Sequence, residues 1–435
     1  MKLVISSFQW FVFIIAASIA APIAIAAVFQ LDPAETAGFV QRTMLVLGAA
    51  GIVQVFIGHK LPINEGPAGL WWGVFAIYAT FSGIIYSSPQ ESLQVLQSGL
   101  LLSGVFFVLL SLTGIINKIT SLFTPAVTFT YLMLLIFQLS GSFLNGMVGL
   151  PNQEGTVQFW VMAGSLVTVC ITFWLSGHKV KWVQRYSIVL AIGIGWAVFA
   201  LVGEAAFNSS PNGHLFSLPE FFAFGGPLLD SGIVVTAFFI TFLLTANMVA
   251  SIRVMESALS EHFGEKPAAR YRQAGYAAGI NTIFSGAASA IGPVPIAGAA
   301  GYVVATKSPD RKPFWLGCLL VVLTSFIPFI TNALAQLPAA VAFSVTFVIF
   351  TNMIRLAFME WNKEKNIDRG LTVIGISLLV GVGLMFVPSS AYAGLPVWIS
   401  SILSNGLISG TITAVIVEQW HIYYNRRNNK IADNS

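Results

Sequence analysis

Two short segments of this 435-residue chain hold the residue types best suited to binding chemistry. The first is Lys60-Leu-Pro-Ile-Asn-Glu-Gly-Pro-Ala-Gly69. The second is Ala290-Ile-Gly-Pro-Val-Pro-Ile-Ala-Gly-Ala-Ala-Gly301. Each sets Pro-Ile (62–63, 295–296) ahead of a Gly-x-Ala-Gly element (66–69, 298–301) and then enters an apolar stretch. Proline removes a backbone donor and blocks helix continuation. A half-helix starting at such a break presents unpaired N–H groups at its first turn. Those groups can hold the carbonyls or ring nitrogens of a planar ligand. Glycine and proline also serve packing and kinks in membrane helices. The match between two segments about half a chain apart favours the ligand reading.

Few polar side chains fall within the apolar runs, and each is a functional candidate by default. Glu65 sits inside the first segment. It could bind a ring N–H, couple to a proton, cap the following half-helix, or lie in a cytoplasmic vestibule. Asn247, with Thr245 and Ser251 nearby, can donate and accept at once, as the edge of a nucleobase-like ring requires. Interhelical bonding is the plainer role for it. Gln9 and the Thr306–Lys307 pair are further candidates, although Lys307 alone reads as a snorkelling residue. Trp71, Trp72 and Tyr302 follow the two breaks and suit packing or an interfacial belt more than ring stacking. Asp230 and Glu204 fit plain solvation at helix ends. The chain has no P-loop, no HExxH, no GxSxG and no Asp-rich diphosphate pair. Its five histidines (59, 178, 214, 262, 421) fall in expected loops or the tail without metal-ligand spacing. The expectation is a non-enzyme with no cofactor and no metal.

The elements that must position these residues follow from composition. The chain is 56% hydrophobic and 9% charged, against roughly 25% charged in soluble domains. Mean hydropathy is +0.81, and apolar runs of about 20 residues recur throughout, each long enough to span a bilayer. A soluble enzyme, a nucleic-acid binder and an outer-membrane barrel are excluded. The fold class is an all-α polytopic membrane protein. Spans are expected at about 8–29, 38–58, 67–86, 93–115, 119–139, 157–176, 184–206, 229–250, 270–290, 296–306, 314–334, 338–358, 370–388 and 395–417, fourteen in all by length. With both termini cytoplasmic, this count puts 20 of the 21 Lys and Arg residues on one side, as the positive-inside rule asks. Only Arg42 falls opposite. The net charge of +4 is then a signature of flanking loops. The run after Lys2 is longer than a signal peptide's apolar region and reads as a retained first span. Cys170 and Cys318 both lie in apolar runs, so no disulfide framework is expected. Seven spans per half is an odd number, which gives the halves opposite orientation. Interrupted segments at matching places of inverted halves mark a transport site near the bilayer midplane.

At these residues the chain resembles the nucleobase–ascorbate transporter family, also called nucleobase:cation symporter-2. That family includes bacterial uracil, xanthine and uric acid permeases, and the resemblance covers nearly the whole chain. It implies a 7+7 inverted repeat whose spans 3 and 10 are each broken by a short β-strand. It also implies a core domain (1–115 and 211–335), a gate domain (116–210 and 336–418) and a cytoplasmic tail (419–435). The family's first-span Gln-His is Gln9-Trp10 here. Leu61-Pro62 and Gly66 match the third-span pattern, and Gly69 falls where related permeases offer a backbone amide. The eighth-span position commonly acidic in the family is Asn247. The tenth-span signature keeps Gly301 and Thr306-Lys307, but Gly298 and Ala299 replace its leading polar pair. Two carboxylates that would bind the base and relay a proton are therefore absent.

The expected function is a cytoplasmic-membrane permease for a nucleobase of the purine class, working by alternating access. Gly69, Gly298, Ala299 and Gly301 would supply backbone contacts, with Asn247 and Gln9 as polar partners. Proton symport, where present, would use Glu65 or another acid. Family members often dimerise through the gate, so a homodimer is an open option; a nucleic-acid partner is not expected. Two alternatives remain: a non-transporting sensor or scaffold of the same fold, and a permease for another small planar or anionic solute.

Overall fold

The structure, a computed structural model, describes residues 2–150, 155–204, 215–265, 267–268, 270–392 and 394–432. Lys266 and His214, counted above in the charge and histidine readings, lie outside the described residues. The described residues are mostly helical. The first stretch holds α1 (Lys2–Ser18), α2 (Ala20–Val28), α3 (Pro33–Phe56), strand β1 (Glu65–Pro67), α4 (Gly69–Phe81) and α5 (Pro89–Thr113). Next come α6 (Ile116–Leu122), α7 (Pro125–Met147), α8 (Phe159–Ser176), α9 (Lys181–Arg185) and α10 (Ser187–Val202). Then follow α11 (Ser231–Phe263), α12 (Tyr271–Ala287), strand β2 (Pro293–Pro295), α13 (Gly298–Thr306), α14 (Arg311–Ser325) and α15 (Pro328–Ala335). The last are α16 (Ala339–Trp361), α17 (Ile367–Met385), α18 (Val397–Leu403) and α19 (Gly406–Ala432).

Sequence chemistry sets the helix starts. Asp32 and Glu35 form a reciprocal capping box ahead of α3, with Pro33 in the first turn. Ser88 caps α5 and Asp230 caps α11 through side-chain oxygens. Asp230 therefore does more than sit in solvent. Among the described residues, eight helices are long and apolar enough to cross a membrane. The bent pairs Arg311–Ser325 with Pro328–Ala335 (89°) and Val397–Leu403 with Gly406–Tyr424 (79°) bring the number to ten if each is one span. This is a multi-pass membrane protein. His262 lies in the last turn of α11 and His421 within α19, not in loops.

Small residues let the helices approach. A Cβ on Gly104 of α5 would stand 2.7 Å from the Gly279 carbonyl oxygen of α12, and one on Gly279 would stand 2.8 Å from the Gly104 oxygen. The two backbones are in direct contact, as small-residue crossings allow. Gly48 and Gly51 of α3 seat the α14 turn around Cys318 in the same way, and Gly381 of α17 meets Gly406 and Gly410 of α19. Cys170 is exposed on α8 and Cys318 is buried, both unpaired.

Candidate functional site

The two helix-breaking segments come together. Strands β1 and β2 pair antiparallel, with Glu65 opposite Pro295, Gly66 opposite Val294 and Pro67 opposite Pro293. Flanking bonds run from Ala68 N to the Gly292 oxygen (2.9 Å) and from Ile296 N to the Asn64 oxygen (3.0 Å). Helix α4 leaves this ribbon at Gly69 and α13 leaves it at Gly298. The repeated Pro-Ile and Gly-x-Ala-Gly letters point to the right segments in a shifted register. Pro62-Ile63 precedes β1, whereas Pro295 ends β2; Gly66 is a strand residue, whereas Gly298 opens a helix. In both segments a proline closes the strand shortly before a glycine begins the helix.

The two helix starts differ in what covers them. In α4 the first amide to close a helical bond is that of Trp72, onto the Ala68 oxygen at 2.9 Å. The amides of Gly69, Leu70 and Trp71 stay unpaired among the described residues, as at any helix start. A Cβ on Gly69 would meet Leu135 of α7 and Phe350 of α16, each at 3.6 Å. In α13 the amides of Ala299 and Ala300 turn tightly onto the Ile296 and Ala297 oxygens (3.1 Å each), so Ala299 is fully buried with its N–H in use. Gly298 and Gly301 are exposed, and a Cβ on Gly301 would meet nothing within 4 Å. One face of α13 is therefore open, and the start of α4 is covered by apolar side chains.

Asn247 is half-buried on α11, and its side chain carries no hydrogen bond among the described residues. One turn on, Ser251 donates to the Pro295 oxygen at 2.8 Å, which ties this stretch of α11 to the end of β2. Gln9 is half-buried on α1 and likewise unbonded. Glu65 does not cap α4, whose N-cap is Ala68 with no side-chain bond. Its carboxylate is buried, and among the described residues Oε1 has no partner; neighbouring Asn64 is buried with both amide atoms likewise unpartnered. Burying a carboxyl without a hydrogen-bond partner is costly, which keeps Glu65 among the candidate functional residues.

The aromatic candidates pack within the protein. Tyr302 stacks on Phe13 at 4.2 Å and contacts Trp10 at 4.5 Å. Trp72 meets Phe143 of α7 at 5.3 Å, and Phe143 meets Phe350 at 4.9 Å. Lys307 takes the left-handed conformation that ends α13. Sequence reasoning missed Leu135 and Phe350, because nothing in a run of apolar letters says which will cover a helix start. It also missed Arg270, and it met Arg42 only as an exception to the charge rule.

Residues 1–390 match the model of Xan_ur_permease, described as a permease family. A Bacillus subtilis (strain 168) protein named "Putative purine permease YwdJ" is 44% identical over 99% of this chain and 98% of its own length. Uric acid permease PucJ of the same organism is 23% identical over 95% of this chain and 91% of its own. Among solved structures, the transmembrane domain of the cyanobacterial bicarbonate transporter BicA superposes with a TM-score of 0.62 at 15% identity. It covers 94% of this chain and 96% of that one. Murine Slc26a9 in its inward-facing state also reaches 0.62, at 12% identity, covering 97% of this chain and 68% of its own. At such identities the structures speak for the fold alone. With the family model running over most of its length, this chain belongs to the Xan_ur_permease family and is a transporter.

Proposed function

We propose that the protein moves a nucleobase of the purine class, xanthine- or uric acid-like, across the cytoplasmic membrane by alternating access. The observation that carries this reading is the β1–β2 ribbon, which brings the starts of α4 and α13 together in a chain 44% identical to a protein named as a purine permease. A purine ring offers carbonyl and ring-nitrogen acceptors and N–H donors in one plane. The unpaired amides of Gly69 and Gly298 suit the acceptors. The Asn247 amide suits an edge that both donates and accepts. Gln9, half-buried, and Gly301, exposed, are the remaining candidates for contact with the ring.

The fourteen-span, 7+7 arrangement belongs to the same proposal. It is supported by the eight long apolar helices and two bent pairs found among the described residues; the proposal counts the shorter helices α4, α10, α12 and α13 as the remaining four spans. Helices α1–α5 and α11–α15 form the core domain, and α6–α10 and α16–α19 the gate, with both termini cytoplasmic. Glu65 is the proton carrier if uptake is coupled, its buried and unpartnered carboxyl taking the role of the family acids missing at positions 247 and 298. The test is uptake of labelled xanthine, uric acid, hypoxanthine and uracil in cells lacking their own base permeases. Accumulation of a purine above the vector control is expected. Background uptake of every base, with the protein present in the membrane, would sink the proposal.

A further inference from the structure

The approach to each strand is held by an arginine from the other half of the chain. Ser289, four residues before β2, gives its carbonyl to Nε of Arg42 on α3 at 3.2 Å. Gly58, seven residues before β1, gives its carbonyl to Nε of Arg270, at the foot of α12, also at 3.2 Å. A glutamine seconds each arginine. Gln97 of α5 accepts from the Ser289 hydroxyl and donates to the Gly225 oxygen. Gln54 of α3 accepts from the His59 amide and donates to the Ala274 oxygen. Each approach also contains a non-glycine residue in the left-handed region, Ser289 at φ 48° and Lys60 at φ 60°. Such backbone persists only where the surroundings over-determine it. Arg42 is 5% exposed and lies over the Phe224 ring at 5.4 Å. It is the one cation that the charge partition leaves on the wrong side, and its place inside α3 explains why: it is no loop residue.

We propose that Arg42 and Arg270 are paired positioning residues for substrate binding. Arg42 fixes the entry to β2 and hence the start of α13; Arg270 fixes the entry to β1 and hence the start of α4. Neither arginine is a group the substrate touches. Each acts through main chain, on the carbonyl of a buried residue, where a freed acceptor is costly. The two bonds run crosswise, so each half of the chain sets the binding end of the other. The inference rests on the permease reading for its readout.

The experiment reconstitutes full-length protein and its Arg42→Met, Arg42→Lys, Arg270→Met and Arg270→Lys variants in liposomes. Initial uptake of labelled xanthine and uric acid is followed against concentration, with base-induced thermal stabilisation measured in parallel. For the Met variants, KM should rise at least about tenfold while the maximal rate per molecule stays within about threefold. Lysine keeps a donor on a long stem and should return KM to within about threefold of wild type. A purely structural role would instead lower the melting temperature of the ligand-free protein and leave KM alone. Folded Met variants with wild-type KM, or Lys variants no better than Met, overturn the proposal. If the Met variants fail to fold, the Lys variants decide: retained stabilisation by the base supports it, and loss of that stabilisation in a folded Lys variant overturns it. A wild-type protein that neither takes up nor is stabilised by any base overturns the permease reading itself, a result distinct from the other two.

Discussion

Among the described residues, nothing bonds either end of the Asn247 amide on its half-buried helix face. If it recognises the base, Asn247→Ala leaves a ring edge unpaired, at a cost of about 1–3 kcal/mol. That corresponds to a KM for the purine raised roughly tenfold to hundredfold. An Asn247→Ala protein with unchanged KM would remove this residue from the site. Glu65 is tested differently. A carboxyl that loads a proton from outside during symport should make uptake fall as external pH rises, and Glu65→Gln should flatten that dependence. A pH profile the same in both proteins would clear Glu65 of coupling. Both residues were legible in the sequence because a polar letter in an apolar run stands out. Their surroundings were not. That Ala299 would be buried with its amide engaged, or that Glu65 would leave α4 uncapped, depends on which way a turn closes. The letters Gly-Ala-Ala-Gly do not carry that information.

Helix α12 approaches α5 through the Gly104–Gly279 contact, backbone against backbone. Gly104→Val or Gly279→Val would drive a branched side chain into a carbonyl that cannot move aside. Overpacking of this kind costs about 1–3 kcal/mol or more. The melting temperature of the detergent-solubilised protein should fall clearly. The same change at Gly193, where an added Cβ meets nothing within 4 Å, should leave it within experimental error. Equal melting for all three variants would refute the close crossing. The existence of these helices followed from hydrophobic run length, and their starts from Asp32, Ser88 and Asp230. The strands did not follow so easily. Three-residue strands give no periodicity, and the repeated motif pointed to the right segments in a register shifted by several residues. Only the pairing of Gly66 with Val294 fixes which positions correspond.

The open face of α13 and the covered start of α4 give the whole molecule a direction. Gly298 and Gly301 are exposed while Leu135 and Phe350 close over Gly69. If the Lys307 end of α13 is cytoplasmic, Gly301 is expected to be reached from that side. A Gly301→Cys protein carrying Cys170→Ser should then react with a bulky impermeant maleimide in inside-out vesicles and resist it in intact cells. Saturating purine should slow the reaction. Labelling from the outside alone would reverse the assigned orientation. Charge counting could give that orientation but not the state, since no residue type records which of two packings is populated. The ribbon itself carries one more consequence. In an antiparallel pair, alternate partners exchange bonds, and the bonds flanking the ribbon place Gly66–Val294 in the exchanging register. Pro67, Pro293 and Pro295 thus occupy the positions whose nitrogens look outward, where a proline sacrifices no rung. The rims of the ribbon keep their oxygens and lose nearly all their hydrogens. No third strand can dock there, and of the outward-facing oxygens that of Pro295 is already taken by the Ser251 hydroxyl.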